Sequence, residues 1–173
     1  MTQRTQASLP HMARKLGHRR RGGRAQTSGA KFESKIEELL VTLGFTKQTG
    51  SRTAFYSTTR ESKEYDVHVL CGPSAYGGKG KQYCDFLIYG LPGFPTGFRI
   101  EAKAQFTKGS VDEKYPYLLL NIEVAGIPSV VVTAGRGART EALDWLTEQA
   151  MEDNPLQAVL DYEGLLQYLH DLY

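Results

Sequence analysis

Asp85, Glu101 and Lys103, with Gln105 two residues further on, carry the most chemistry of any short stretch of this chain. The segment from Phe98 to Phe106, FRIEAKAQF, alternates between apolar and polar residues. In a strand successive side chains point to opposite faces. Phe98, Ile100, Ala102, Ala104 and Phe106 therefore share one face, and Arg99, Glu101, Lys103 and Gln105 share the other. The run CDFLIYG, Cys84 to Gly90, reads as a second strand, and LPGFPTG between the two is a turn-rich connector. An antiparallel hairpin centred near Gly93 sets Asp85 opposite Glu101. Two carboxylates side by side repel each other, so the arrangement calls for a cation. A hard divalent ion such as Mg²⁺ takes a few carboxylate oxygens and keeps several waters. It can lower the pKa of such a water, orient it and offset charge on a phosphoryl group. The lysine would position that water or meet developing negative charge. The residues alone leave a plainer alternative open, a solvated strand face with an incidental salt bridge.

The elements that must position this patch are legible as a pattern. Ser28 is a candidate N-cap for a helix from about Ala30 to Leu43 that ends at Gly44. Phe45 to Thr59 is polar and turn-rich, with a short strand candidate at Ala54 to Ser57, and Glu64 to Leu70 reads as a strand. GPSAYGGKGK, Gly72 to Lys81, is a loop leading into the Asp85 strand. A helix is expected from about Val111 to Val124. The β-branched run Ile127 to Thr133 reads as a strand buried on both faces. The turn Gly135-Arg136-Gly137-Ala138-Arg139 leads into a helix over Thr140 to Met151, a place where anions often bind. Leu156 to Leu160 reads as a last strand and Tyr162 to Leu172 as a closing helix. The order predicts one α/β domain with a central mixed sheet flanked by helices.

Asp85 followed by Glu101-Ala102-Lys103 resembles the PD-(D/E)XK nuclease superfamily, with those three side chains in the signature positions. GAKFESKIEELLVTLGF, opening at Gly29, is similar to the glutamate-bearing first helix of archaeal Holliday-junction resolvases and restriction-type nucleases. Gln105 matches the ExKxQ variant of the motif, and GSVDEKYPYLLLNI, Gly109 to Ile122, resembles a GSxxEK-type segment found after the motif strand. The resemblance spans Gly29 to the C-terminus and departs at one point, since Cys84 and not proline precedes Asp85. It implies a restriction endonuclease-like core that hydrolyses phosphodiester bonds in DNA, with Mg²⁺ as cofactor and Mn²⁺ able to substitute. Asp85, Glu101 and the Ala102 carbonyl would hold the metal, Lys103 would orient or activate the water, and Gln105 would support Lys103 or the water. On a helical wheel of about 100° per residue, Phe32, Ile36, Leu39, Leu40 and Leu43 form one apolar arc. Glu33 lies at its rim, Glu37 farther round and Glu38 on the opposite side. Glu33 is therefore the candidate third acidic group and metal contact, against the plain alternative of an amphipathic helix with acids near its N-terminus. Ser110 and Lys114 are candidate contacts to the scissile phosphate, and a homodimer is an arrangement common among such enzymes.

Charge along the chain points the same way. The formal net charge is only +2, but residues 1 to 31 hold Arg4, Arg14, Lys15, Arg19, Arg20, Arg21, Arg24 and Lys31 with no acid, and no lysine or arginine follows Arg139. Residues 1–28 read as a flexible, disordered basic arm before a nuclease-like domain at 29–173. Such arms bind phosphate backbones through counterion release, so Arg19, Arg20, Arg21 and Arg24, with Arg136 and Arg139, are candidate nucleic-acid contacts. No apolar run approaches the length of a membrane span and no signal peptide is visible. The two cysteines, Cys71 and Cys84, lack metal-type spacing and are expected as free buried thiols of a cytoplasmic protein. A second function class stays open, a nucleic-acid-binding module of the same fold without catalysis.

Overall fold

The computed structural model describes residues 19–48, 60–77, 79–107, 112–151 and 153–173, with backbone alone for 19–26. The elements run α1 (Arg19–Thr42), β1 (Thr46–Lys47), β2 (Glu64–Pro73), β3 (Lys81–Tyr89), β4 (Phe98–Ala104), α2 (Tyr115–Ala125), β5 (Ser129–Ala134), α3 (Thr140–Glu148), β6 (Leu156–Leu160) and α4 (Tyr162–Asp171), with a 3₁₀ turn at Asp112–Lys114 before α2. They form the expected α/β domain. The six-stranded sheet keeps sequence order, β1-β2-β3-β4-β5-β6. β2, β3 and β4 are antiparallel neighbours, whereas β1 runs parallel to β2, and β5 and β6 run parallel to β4.

Helices α1 and α4 cover one face of the sheet. Phe32, Ile36, Leu39 and Leu40 of α1 and Leu165 and Leu169 of α4 pack there against Phe98 and Ile100 of β4 and Val130 and Val132 of β5. On the other face Leu118, Leu119 and Ile122 of α2 meet Val131 of β5, Leu146 of α3 and Leu156 of β6. β5 is thus apolar on both sides, as its β-branched run requires.

Two local expectations change. Helix α1 starts at Arg19 and not near Ala30, so Ser28 lies inside it and the basic run 19–24 has helical backbone. Once a helix is nucleated on the apolar face of Phe32 to Leu43, each further residue adds a hydrogen bond, while Gly22, Gly23 and Gly29 cost about 1 kcal/mol each. Residues 1–18 and the strand candidate at 54–57 lie outside the described residues. Thr46–Lys47, at the start of the turn-rich stretch, forms an edge strand beside Glu64 and Tyr65. Cys71 and Cys84, expected as free thiols, are joined as a buried disulfide across β2 and β3, with Cα atoms 6.1 Å apart. Val69 and Cys84 are register partners, which brings Cys71 diagonally next to Cys84.

One irregularity decides how the site is built. The β2–β3 ladder pairs Val67 with Phe86 and Val69 with Cys84, but the pair between them, His68 opposite Asp85, is missing. His68 has a left-handed backbone, φ +49°. Each strand changes face there. Tyr65 and Val67 contact the α1 side, whereas Val69 and Cys71 lie with Leu87 and Tyr89 on the other. In β3, Phe86 and Ile88 face α1 and Cys84 does not. A left-handed conformation costs an L-residue about 1–2 kcal/mol. His68→Gly is therefore expected to unfold in urea at an unchanged or higher midpoint. The β-branched His68→Val should lose more than about 1 kcal/mol, and equal stability of the two variants would show that the backbone there is not constrained.

Candidate active site

The hairpin turns as the connector requires, with Leu91 and Phe94 bridged and Gly93 at φ +83°. β3 and β4 pair as Phe86–Ile100, Leu87–Arg99 and Ile88–Phe98. Continuing that register sets Asp85 opposite Glu101, as counted from the sequence. At this point the backbone ladder stops and a side chain takes its place. Asp85 Oδ2 accepts the Ala102 N–H at 2.8 Å, so the carboxylate is fixed against β4 by the group a strand partner would have bound.

Lys103 bridges the two carboxylates. Its Nζ lies 3.0 Å from Asp85 Oδ2 and 2.7 Å from Glu101 Oε2. Behind them sits Arg99, only 1% exposed. It donates to Glu101 Oε1 from Nε at 2.9 Å and from Nη2 at 2.8 Å, and its Nη1 donates to Gln82 Oε1 at 3.2 Å. Gln82 is anchored in turn by donating to the Pro73 carbonyl at 2.9 Å. The four charges balance, and the network is graded in depth. The Glu101 side chain is 4% exposed, while those of Asp85 and Lys103 are 20% and 24% exposed.

That grading sets the ionisation. Burial pushes the Asp85 carboxyl above its usual range, the nearby Glu101 charge adds to the rise, and Lys103 opposes it. Burial also pushes Glu101 up, but Lys103 and Arg99 together outweigh it and hold Glu101 below its usual range. Burial pushes Lys103 down, and Glu101 and Asp85 more than reverse this, so the ammonium is charged throughout the neutral range. Glu101 is the firmly ionised member of the pair, and Asp85 is the one poised to take a proton.

The remaining candidates are dispersed. Glu33 pairs with His68 at 3.2 Å and Glu37 with Lys47 at 2.5 Å and with the Tyr65 hydroxyl at 3.0 Å. Helix α1 packs on the Phe98–Ile100 face of β4, the opposite side from Glu101, which keeps Glu33 out of the Asp85–Glu101 contact. Among the described residues no three histidine, cysteine or acidic side chains gather as a metal cluster. Gln105 lies just past the end of β4, and its Nε2 donates to the Gly137 carbonyl at 2.9 Å and not to Lys103's partners. Its Oε1 is buried without a partner. Gly135 and Gly137 let this turn dock, because a Cβ on Gly135 would come within 2.3 Å of the Gln105 carbonyl and one on Gly137 within 2.5 Å of the Thr107 carbonyl.

Arg139 is tied by its Nε to the buried Asp112 at 2.9 Å, so its charge serves the start of α3 first. Arg136 and Lys114 are exposed, and Ser110 lies outside the described residues. Arg19, Arg20, Arg21 and Arg24 occupy the first turns of α1. Sequence reasoning missed Arg99, Gln82 and Asp112 as structural parts of the site. Alternation already placed Arg99 on the face of Glu101, a usable signal. Nothing comparable marked Gln82, because its position depends on the irregularity at Asp85.

Residues 24–170 match the family model of the PD-(D/E)XK nuclease superfamily domain. No curated protein and no solved structure matches the chain.

Removing one partner of a buried ion pair strands the other. Arg99→Met should lower the unfolding free energy at neutral pH by about 3 kcal/mol, measured by urea denaturation. A carboxylate with a depressed folded pKa contributes stability above its unfolded pKa and loses it as pH falls through the folded one. The deficit of Arg99→Met should therefore shrink on acidification, and a deficit independent of pH would remove Glu101 as its cause.

Proposed function

The chain belongs to the PD-(D/E)XK nuclease superfamily, and from that premise we propose that it is a Mg²⁺-dependent endonuclease acting on DNA, with Asp85, Glu101 and Lys103 as its catalytic residues. A nuclease-type function follows from the family; the metal, the substrate and the residue roles are this reading's own. The observation that carries it is the Lys103 ammonium between carboxylates from two neighbouring strands, 2.7 and 3.0 Å from them. A pair of hard oxygen donors that already hold one cation between them suits a second of higher charge. Both are partly or fully fixed by other groups, Asp85 by the Ala102 N–H and Glu101 by Arg99, so little ordering is left for binding.

Asp85 and Glu101 would hold the ion together with the Ala102 carbonyl, leaving the other positions to water. A divalent ion there supplies an acidified water and offsets charge on the scissile phosphate. Lys103 would orient the attacking water and meet negative charge that builds on the phosphoryl oxygens. Arg99 keeps Glu101 ionised and presents its Oε2 edge. Glu33 would act at one remove, through its partner His68, which stands opposite Asp85 across β2 and β3. Exposed Arg136 and Lys114, with the basic positions of α1, would hold the flanking phosphates.

The exact balance of two positive and two negative side chains favours a second reading, a nucleic-acid-binding module that needs no ion. Divalent-dependent cutting separates the two. Purified protein should cleave plasmid DNA with Mg²⁺ or Mn²⁺ and stop with chelator, and Asp85→Ala and Lys103→Ala should each slow cleavage by about 10²-fold or more. Undiminished cutting by both variants would defeat the assignment. Because burial and the Glu101 charge hold the Asp85 carboxyl above its usual range, that group in the metal-free protein should keep its proton to a higher pH than a free aspartate does. Its midpoint, followed by NMR of the side-chain carboxyl in the presence of chelator, should lie above 3.8, the usual aspartate value.

A further inference from the structure

Beyond the catalytic cluster, the α1 side of the molecule holds a cleft of about 620 Å³, bordered by Lys31 and Lys35 of α1, Phe106, Gly135 and Tyr162. Phe106 is the last apolar residue of the alternating motif segment, but β4 ends at Ala104, so its ring never enters the core and is 59% exposed. The ring is nevertheless buttressed. It lies against Gly135, where a Cβ would come within 3.0 Å of its Cδ1. Lys35 is held at the opposite wall, with its Nζ 4.1 Å from the centre of the Tyr162 ring.

The cleft continues a basic stripe. At about 100° per residue, positions 20, 24, 28, 31 and 35 of α1 fall within an arc of about 80°, which aligns Arg20, Arg24, Lys31 and Lys35 with Ser28 on one line along the helix. The far wall is acidic, with Asp161 and Glu163. Asp161 is engaged in capping α4, accepting the Gly164 N–H at 2.8 Å. A phosphate is therefore drawn to the α1 wall, and an uncharged ring to Phe106. Phe106 follows Lys103 by three residues, at most about 10 Å of chain, around the end of β4 from the face that carries Lys103.

We propose that this cleft is a binding site for single-stranded nucleic acid, in which a base stacks on Phe106 and successive phosphates follow Lys35 and Lys31 toward the basic start of α1. An exposed, fixed aromatic ring beside a line of cations is the combination that binds unpaired strands without reading sequence. A base paired within a duplex cannot offer its face to the ring. The cleft thus gives the nuclease assignment, on which its biological use rests, a preference for substrates with an unpaired segment beside the cut.

The test is fluorescence anisotropy in the presence of chelator, with a labelled oligothymidylate and a duplex of equal length. Phe106→Ala should weaken oligothymidylate binding about tenfold or more and duplex binding little, and Phe106→Tyr should restore it. Lys31→Ala should reduce the slope of log affinity against log salt by about 0.7 for the single strand. Wild-type affinity in Phe106→Ala, or equal loss on both probes, overturns the proposal. Since no cutting is involved, this outcome is separate from the nuclease reading. A protein that never cleaves yet loses single-strand affinity in Phe106→Ala keeps this site and loses the enzyme. One that cleaves but binds unchanged keeps the enzyme and loses the site.

Discussion

Glu101 is buried and charged, and the cations on both sides of it organise the centre of the molecule. Taking a carboxylate out of water costs several kcal/mol unless other charges compensate closely. Here Arg99 takes one oxygen and Lys103 the other, two residues before and two after on the same strand. Because all three lie on one face of β4, a slip of one residue would turn them toward Phe32 and Ile36 and would expose Phe98 and Ile100. The charged face and the apolar face therefore specify the same register. Buried ion pairs seldom add net stability, and fixing one arrangement is their better-attested use. In this sheet, that use is to hold an ionised carboxylate in one orientation beside the more exposed Asp85.

A fault in the sheet shapes the surroundings of Asp85. Had β2 and β3 kept a regular ladder, strand alternation would run unbroken through His68 and Asp85. With both strands changing face at this pair, Cys84 joins the face of Leu87 and Tyr89, which Asp85 already shares by alternation. Its carboxylate then takes over the Ala102 N–H. A local irregularity that re-aims a polar side chain is a recurrent device next to active sites. Here its visible trace is a histidine at positive φ, paired through its ring to Glu33 of the covering helix.

The sheet also separates two kinds of work. The face under α2 carries Arg99, Glu101 and Lys103, while the α1 face carries Phe98, Ile100, Ala102 and Ala104 and builds the core. The two meet at the C-terminal end of β4, where the chain leaves the sheet. There Gln105 docks on Gly137 and Phe106 is left exposed. Among the described residues no helix is long and apolar enough to cross a membrane. The long basic helix α1 lies along the surface as one wall of that exit.

Short-range pattern was enough for much of this. Alternation in FRIEAKAQF separated the faces of β4, the glycine- and proline-rich connector set the hairpin count, and the count placed Asp85 opposite Glu101. β-branched residues marked β5, and the helical wheel found the buried face of α1. These features depend on periodicity and turn chemistry, which act over a few residues and are written in the chain. The start of α1 at Arg19, the edge strand at Thr46–Lys47, the disulfide and the role of Gln82 were not written there, because each depends on which distant segment lies alongside. The same holds for the third carboxylate. The wheel rightly put Glu33 at the rim of α1, but only packing could decide that α1 covers the side of β4 away from Glu101. Local sequence determined which groups share a face. The tertiary structure decided which faces meet, since burial and strand pairing are settled between segments and not within them.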